Sequence, residues 1–164
     1  ADENLTRSPE RRHAMSHTFT CLFTHVVFST KERRPFIADE CRPRLYAYVG
    51  GIARNLKATA LAIGGTTDHV HLLLSFPPTL CVADAVRTLK SNSSGWVHDT
   101  WPSRGDFGWQ TGYGAFNVSE SNREAVVRYI ERQGEHHHRL TFKEEFIALL
   151  ERHNIPYDER YIWD

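Results

Sequence analysis

Apolar and polar positions follow two different periods in the first half of the chain, and these predict alternating strands and helices. Residues 19–29 are rich in Phe, Thr and Val, a composition that favours a buried strand. From Asp39 to Leu56 the apolar positions recur at the spacing of an amphipathic helix. Residues 58–63 and 69–76 are strand-like and flank a glycine-containing segment at 64–68, which predicts a hairpin.

The second half of the chain predicts three further helices and one short strand. A helix opens at Val82, and we expect it to fray in the run of Ser, Asn and Gly at 91–95. Residues 115–118 are long enough only for a short strand, either at the edge of the sheet or closing it. Two later helices begin with the capping-box pattern, in which two side chains satisfy free backbone amides. These boxes are Ser121–Glu124, whose helix we expect to end at Gly134, and Thr141–Glu144.

The order of these elements predicts the fold class. The sequence β-α-β-β-α-β followed by a C-terminal helix is typical of an α+β, ferredoxin-like fold: a split β-α-β antiparallel sheet with helices on one face plus the C-terminal helix. Residues 1–14 are polar and precede Met15, the single methionine, so we expect a disordered N-terminal tail. Residues 15–164 then form one domain, long enough to bury a core without disulfides.

The composition indicates the cellular compartment of the protein but does not identify a binding partner. Lys plus Arg and Asp plus Glu number 20 each, so the net charge gives no reason to expect a polyanionic partner. No apolar run approaches the ~20 residues of a membrane span, which predicts no membrane association. Three widely spaced cysteines predict free thiols and a cytoplasmic location.

The strongest chemical signal is the pair His69 and His71, which one hydrophobic residue separates in a predicted strand. Successive side chains of a strand point to opposite faces, so both imidazoles leave the same face. Two convergent neutral imidazoles provide half of a metal site. Tyr129 and Gln133 stand one helical turn apart, at the border of an apolar stripe. By itself this second pair is more typical of an ordinary amphipathic helix with polar residues at its boundary.

In this order the motifs resemble those of the HUH single-tyrosine transposases. These enzymes cut DNA for small bacterial insertion sequences and include the REP-associated tyrosine transposases. The resemblance rests on His69-Val70-His71 followed by Tyr129-x-x-x-Gln133. It extends to the segment 25–31 with Arg33-Arg34-Pro35, to the aromatic and glycine-rich segment 107–116, and in all to residues 16–163.

The resemblance implies an enzyme, namely a transposase and single-strand DNA endonuclease that cleaves and rejoins DNA in transposition. Tyr129 would be the nucleophile and would leave a 5′-phosphotyrosine and a free 3′-hydroxyl; the residues do not identify the base that deprotonates it. His69, His71 and Gln133 would bind one divalent metal, Mg²⁺ or Mn²⁺. The implied partners are single-stranded or hairpin DNA and a second copy of the chain in a homodimer.

Six residues outside this set are expected to contact DNA. Lys31, Arg33, Arg34 and Lys90 are candidates for phosphate contacts, and Trp109 and Tyr113 for stacking on unpaired bases. Aromatic residues ahead of a strand are also typical of a hydrophobic core, so the two stacking assignments have a purely structural alternative.

Three other functions are compatible with the motifs. A domesticated nickase acting on dispersed REP-type palindromes would use the same chemistry. A non-catalytic, ferredoxin-like nucleic-acid-binding module would use the histidines as structural residues, although the aromatic strand motif of RNA-recognition domains is absent. A metal-dependent hydrolase is the weakest alternative, because we expect no further Asp or Glu to complete the site.

Overall fold

The computed structural model describes residues 19–136 and 140–163, and the expected tail at 1–14 lies outside these ranges. The strands are β1 (Phe23–Ser29), β2 (Thr59–Gly65), β3 (His69–Ser75) and β4 (Gly114–Val118). The helices are α1 (Arg42–Asn55), α2 (Val82–Thr100), α3 (Arg123–Glu131), α4 (Gln133–His136) and α5 (Phe142–Arg152). No helix within the described ranges is long and apolar enough to cross a membrane.

The four strands form one antiparallel sheet in the order β2-β3-β1-β4. This is the strand order of a split β-α-β arrangement, so the prediction of an α+β, ferredoxin-like fold is confirmed. The helices α1 and α2 cover one face of the sheet, and α3 and α5 cover the other. Both faces are therefore buried, which explains why the central strands are apolar almost without interruption.

The alternation of side chains along β3 separates the two layers of the protein. Val70, Leu72 and Leu74 point into the larger core beneath α1 and α2. Leu73 points the other way and packs with Ile130 of α3. The two histidines of β3 share the face of Leu73, as the alternation predicts. The strand therefore presents an apolar surface to one helical layer and polar chemistry to the other.

The prediction that α2 frays at residues 91–95 is wrong, because the helix continues to Thr100. Ser93 is fully buried, and its hydroxyl accepts a hydrogen bond from Trp109 Nε1 at 2.9 Å. One turn further on, Val97 packs into the main core. These tertiary contacts outweigh the low helix propensity of Ser, Asn and Gly in this run.

Of the two predicted capping boxes, only the second exists. Residues 120–122 form a 3₁₀ turn, Asn122 occupies the N-cap of α3, and the Ser121 hydroxyl pairs with that of Ser119 at 3.0 Å. At α5, Thr141 Oγ1 accepts from the Glu144 amide, and Glu144 Oε2 accepts from the Thr141 amide at 2.8 Å. The end predicted at Gly134 is also wrong, since α3 stops at Glu131 and Gly134 lies inside α4.

The two boxes provide a matched test of helix capping. We expect Thr141→Ala to lower the free energy of unfolding by about 1 kcal/mol, because the first turn of α5 loses its cap. Ser121→Ala removes the same kind of hydroxyl from a site without cap hydrogen bonds and is expected to leave stability nearly unchanged. Urea denaturation of both variants measures the difference. Equal losses in the two variants would contradict the assignment of the caps.

Close contact between β2 and α3 fixes the helix that carries Tyr129. A Cβ atom added at Gly64 would lie 2.1 Å from the backbone oxygen of Ile130, so only glycine permits this approach. We expect Gly64→Ala to destabilise the fold by about 1–3 kcal/mol through overpacking. Gly95→Ala is the control, because a Cβ there meets nothing within 4 Å and should raise helix stability by about 1 kcal/mol. Thermal melting of both variants would show opposite shifts, and a shared direction would argue against this packing.

Candidate active site

The two histidines of β3 form the centre of a buried polar cluster between the sheet and the helices α3 and α5. Neither His69 nor His71 has any exposed surface. The ring of His69 packs on Phe142 at 4.8 Å between centroids, and the two imidazoles lie 5.0 Å apart. Buried imidazoles need specific polar partners, and the structure supplies these on both sides of each ring.

The outer nitrogen of each ring is held by a neighbouring side chain. His69 Nδ1 lies 2.7 Å from Asp68 Oδ1, and because a carboxylate only accepts, this nitrogen carries the proton. His71 Nδ1 shares a hydrogen bond of 2.9 Å with His25 Nε2 of β1. Outer partners of this kind fix the tautomer and the orientation of metal-binding histidines. Both Nε2 atoms are thereby aimed at the same interior point.

The group at that point is Glu145 of α5, and its presence corrects the expectation that no further Asp or Glu completes the site. His69 Nε2 lies 3.4 Å from Glu145 Oε2, and His71 Nε2 lies 3.5 Å from Oε1. One donor atom from each of these three residues lies within 4.8 Å of the others. Glu145 is only 6% exposed, so a charged carboxylate sits in the interior of the protein.

Tyr129 and Gln133 reach the same carboxylate, although they do not share one continuous helix. The helix α3 ends at Glu131, and Gln133 is the first residue of α4. The Tyr129 hydroxyl donates to Glu145 Oε1, and Gln133 Nε2 donates to the same oxygen at 2.9 Å. The Tyr129 ring meets His71 edge to face at 5.7 Å. The four residues of the sequence motifs therefore lie in one cluster. At its centre is Glu145, which the motifs did not predict.

The chain does contain a signal for Glu145. Glu145 lies three residues after Phe142 and four before Leu149, on the stripe that packs against the sheet. Residues at these spacings share one face of a helix. A carboxylate on an otherwise apolar face has to be buried with a partner, which marks the position as a candidate site residue.

The pKa values of the cluster reflect its burial and its internal hydrogen bonds. Burial raises the pKa of Tyr129, and the adjacent Glu145 carboxylate raises it further. Burial also opposes ionisation of Glu145, but hydrogen bonds from His69, His71 and Tyr129 hold its pKa well below the usual range. For His69, burial is outweighed by Asp68 and Glu145, and the pKa is raised. Burial beside His71 lowers the pKa of His25 to about 3, so His25 is neutral.

The donor set suits a divalent cation. Gln133 is 1% exposed, and its Oε1 has no hydrogen-bond partner among the described residues. A buried acceptor of this kind fits a cation ligand, because leaving it unsatisfied costs about 1–3 kcal/mol. Imidazole nitrogens, an amide oxygen and a carboxylate together match the preferences of Mn²⁺ and related ions. The cluster is therefore compatible with a bound divalent metal.

A pocket of about 370 Å³ opens beside Tyr129, between β4, α3 and α5. Its lining residues include His25, Phe116, Tyr129, Arg152 and His153, of which Arg152 is exposed. Neither Arg152 nor His153 was singled out by the sequence motifs. The positive charge of Arg152 is one of the minor influences that lower the pKa of Tyr129. Tyr129 is half-buried, and the pocket lies against its side chain.

The basic residues of the first connection lie at the surface. Lys31 and Arg34 are exposed, and Arg34 forms a 3.1 Å ion pair with Asp106. Arg33 is half-buried, and its guanidinium lies over the ring of Trp163 at 5.7 Å. These three side chains leave room for phosphate contacts, and none of them belongs to the buried cluster.

The other three DNA-binding candidates lie on the α1/α2 side of the sheet. Lys90 Nζ donates to the carbonyl oxygens of residues 110, 111 and 112 at 2.6–3.1 Å, and burial lowers its pKa to about 8. Trp109 packs edge to face on Phe28 at 4.9 Å, next to the main core, as the structural alternative anticipates. Tyr113 is 36% exposed and faces a pocket of about 450 Å³.

Comparison with known proteins connects this site to one family. Residues 18–133 match the family described as IS200-like transposases. The ISDra2 transposase TnpA of Deinococcus radiodurans is 29% identical over 114 residues, which cover 66% of this chain and 81% of that protein.

Two solved structures resemble the fold. A crystal structure of a transposase from Deinococcus radiodurans matches with a TM-score of 0.61 and 28% identity, over 72% of this chain and 95% of that one. A REP-associated tyrosine transposase bound to a REP hairpin matches with a TM-score of 0.55 and 15% identity, over 80% of this chain and 74% of that one. With a family match that spans the whole sheet and both sequence motifs, the chain belongs to the IS200-like transposases.

Proposed function

We propose that this transposase cleaves and rejoins single-stranded DNA through a covalent 5′-phosphotyrosine on Tyr129, with a divalent metal as cofactor. The observation that carries the proposal is the convergence of the Tyr129 hydroxyl and both His Nε2 atoms on one buried point. For in-line attack, the nucleophile and the metal must be close enough for a single phosphate group to contact both. A structural role for the histidines would not require a phenol in this position.

His69, His71 and Gln133 would hold Mg²⁺ or Mn²⁺, and such a cation offsets negative charge on a scissile phosphate. Tyr129 Oη would form the new bond to phosphorus, while the bond to the 3′-oxygen breaks and that oxygen takes a proton. The reverse attack by a 3′-hydroxyl would release the tyrosine and join the strands. The covalent link conserves the energy of the phosphodiester, so strand joining needs no nucleotide cofactor.

Burial and the adjacent Glu145 carboxylate both raise the pKa of Tyr129, and both therefore disfavour the phenolate. A bound cation would offset the negative charge of Glu145 beside Tyr129 and would therefore lower the pKa of the phenol. His25 would keep His71 in position throughout, because its own ring stays neutral and hydrogen-bonded.

The proposed substrate is single-stranded or hairpin DNA that enters through the pocket beside Tyr129. Arg152 at the rim carries the charge to meet a phosphate, and the exposed Lys31 and Arg34 would track the backbone further away. The REP-associated transposase that shares this fold is bound to a hairpin. The described cysteines are free thiols, in keeping with action in the reducing cytoplasm.

We expect Tyr129→Phe to abolish the covalent protein–DNA adduct and strand cleavage while hairpin binding persists, because only one hydroxyl is lost. Denaturing gels with labelled hairpin DNA and Mn²⁺ measure the adduct, and a binding titration measures affinity. Tyr113→Phe is the matched control, since Tyr113 lies on the other side of the sheet and should retain the adduct. An adduct formed by Tyr129→Phe would overturn the assignment of the nucleophile. Hairpin binding without an adduct in the wild type would instead favour the non-catalytic module.

We propose further that the protein acts as a homodimer built on β4. This strand is at the sheet edge, and its outer side pairs with no strand of the described residues. Open strand edges pair readily across a two-fold axis. Two sites in one assembly would also allow two DNA ends to be joined.

Within such a dimer we expect each site to be complete in one chain, because Tyr129 contacts His71 of its own chain. Mixing Tyr129→Phe protein with His69→Ala/His71→Ala protein should then restore no cleavage above that of the separate proteins. Light scattering checks the assembly itself. Restored cleavage would show that the tyrosine serves the partner's metal, and a monomer at working concentration would refute the dimer.

A further inference from the structure

We propose that Glu145 is itself a ligand of the divalent metal, so that α5 completes a site formed by His69, His71 and Gln133. The inference rests on the proposed metal-dependent function and adds a residue to it. Glu145 lies beyond residue 133, where the match to the IS200-like family ends. The ligand would therefore come from a part of the chain that the family match does not include.

The spacing of the donor atoms fits one shared ion. Glu145 Oε2 is 3.4 Å from His69 Nε2, and Oε1 is 3.5 Å from His71 Nε2. Adjacent ligands of a cation with bonds of about 2.1 Å lie about 3 Å apart in octahedral geometry. The carboxylate already faces both imidazoles, and one donor atom from each of the three residues lies within 4.8 Å of the others.

The buried charge is better matched with an ion than without one. A carboxylate that is 6% exposed loses most of its hydration, and a positive partner offsets that loss more fully than neutral hydrogen-bond donors do. The hydrogen bonds from Tyr129 and Gln133 are made by neutral groups. A divalent cation would supply the missing charge to Glu145 and to the orphan Oε1 of Gln133 at once.

The position of Glu145 is rigidly set, which is what a ligand requires. The Thr141–Glu144 capping box fixes the first turn of α5, immediately before Glu145. Phe142 packs against the ring of His69, and Phe146, on the other side of Glu145 in the chain, is buried against Phe142. The carboxylate is thus held against the imidazoles by the packing of the whole helix.

The competing explanation is that Glu145 blocks the site and leaves when the metal arrives. The two explanations predict opposite effects of removing the carboxylate. A ligand contributes to metal affinity, whereas a blocking group competes with the metal. The orientation of Gln133 favours the ligand, because its Nε2 binds Glu145 while its Oε1 stays available for an ion.

The test is calorimetric titration of Mn²⁺ into the full chain and its variants. We expect Glu145→Gln to weaken Mn²⁺ binding by about tenfold or more. Glu145→Asp keeps a carboxylate on a shorter side chain and should bind Mn²⁺ more tightly than the Gln variant. Glu151→Gln is the matched control, because it removes an exposed carboxylate from the same helix and should leave affinity unchanged. His71→Ala removes another proposed ligand and provides the reference value for the loss of Mn²⁺ affinity.

Unchanged or tighter Mn²⁺ binding in Glu145→Gln would overturn the proposal, and tighter binding would identify a blocking group. Equal affinities of the Asp and Gln variants would also overturn it, since the carboxylate would then be irrelevant. Circular dichroism shows whether each variant folds. If Glu145→Gln does not fold, the Mn²⁺ affinity of Glu145→Asp is compared with that of the wild type instead. The adduct gel distinguishes failure of this proposal from failure of the proposed function. If the wild type forms the adduct but its Mn²⁺ affinity does not depend on Glu145, only the ligand assignment fails. If the wild type forms no adduct, the proposed function is refuted.

Discussion

Burial of β3 on both of its faces is the constraint on which this structure depends. The strand lies between β2 and β1, with helices above and below, so every residue from His69 to Leu74 is buried. On the α1/α2 side this demands apolar residues. On the other side the two histidines are tolerated only because Asp68 and His25 satisfy their outer nitrogens. The same partners aim the inner nitrogens at one point.

A second consequence of that burial is that the polar cluster contributes to the stability of the fold. Removing one partner of a buried polar contact leaves the other unsatisfied, at a cost of about 1–3 kcal/mol. His69 Nε2 and Glu145 Oε2 form such a contact at 3.4 Å. Substitutions here are expected to alter folding as well as the proposed metal binding, so stability must be measured alongside activity. The cap of α5 and the close approach of α3 to β2 hold this arrangement at two separate places.

The α1/α2 side of the sheet holds the main hydrophobic core, whereas the α3/α5 side holds the buried polar cluster. On the α1/α2 side, Lys90 uses its ammonium group to bind three consecutive carbonyl oxygens of the loop that leads into β4. That loop sets the start of the edge strand, which pairs with β1 and places Phe116 beside His25. A lysine expected to meet phosphate is thus engaged by the protein backbone. The exposed basic residues of the first connection remain the better candidates for DNA contacts.

The sequence by itself determined the elements that depend on local periodicity. Alternation along β3 predicts that His69 and His71 share a face, and the apolar stripe bordered by Tyr129 and Gln133 predicts which side of α3 meets the sheet. The order of strands and helices was enough for the fold class. Local patterns failed where distant residues intervene: buried Ser93 and Val97 extend α2, and a 3₁₀ turn replaces the cap expected at Ser121.

Only the tertiary structure decided what surrounds the histidines. Glu145 is separated from His71 by more than seventy positions, and no local rule brings an acidic residue of the last helix to that strand. His25 is a β-strand residue among apolar neighbours, and its contact with His71 depends on the register between β1 and β3. Sequence patterns specify which face a side chain occupies, because this is set by backbone geometry over a few residues. Which other side chains meet it there depends on how the helices and strands pack across the whole chain.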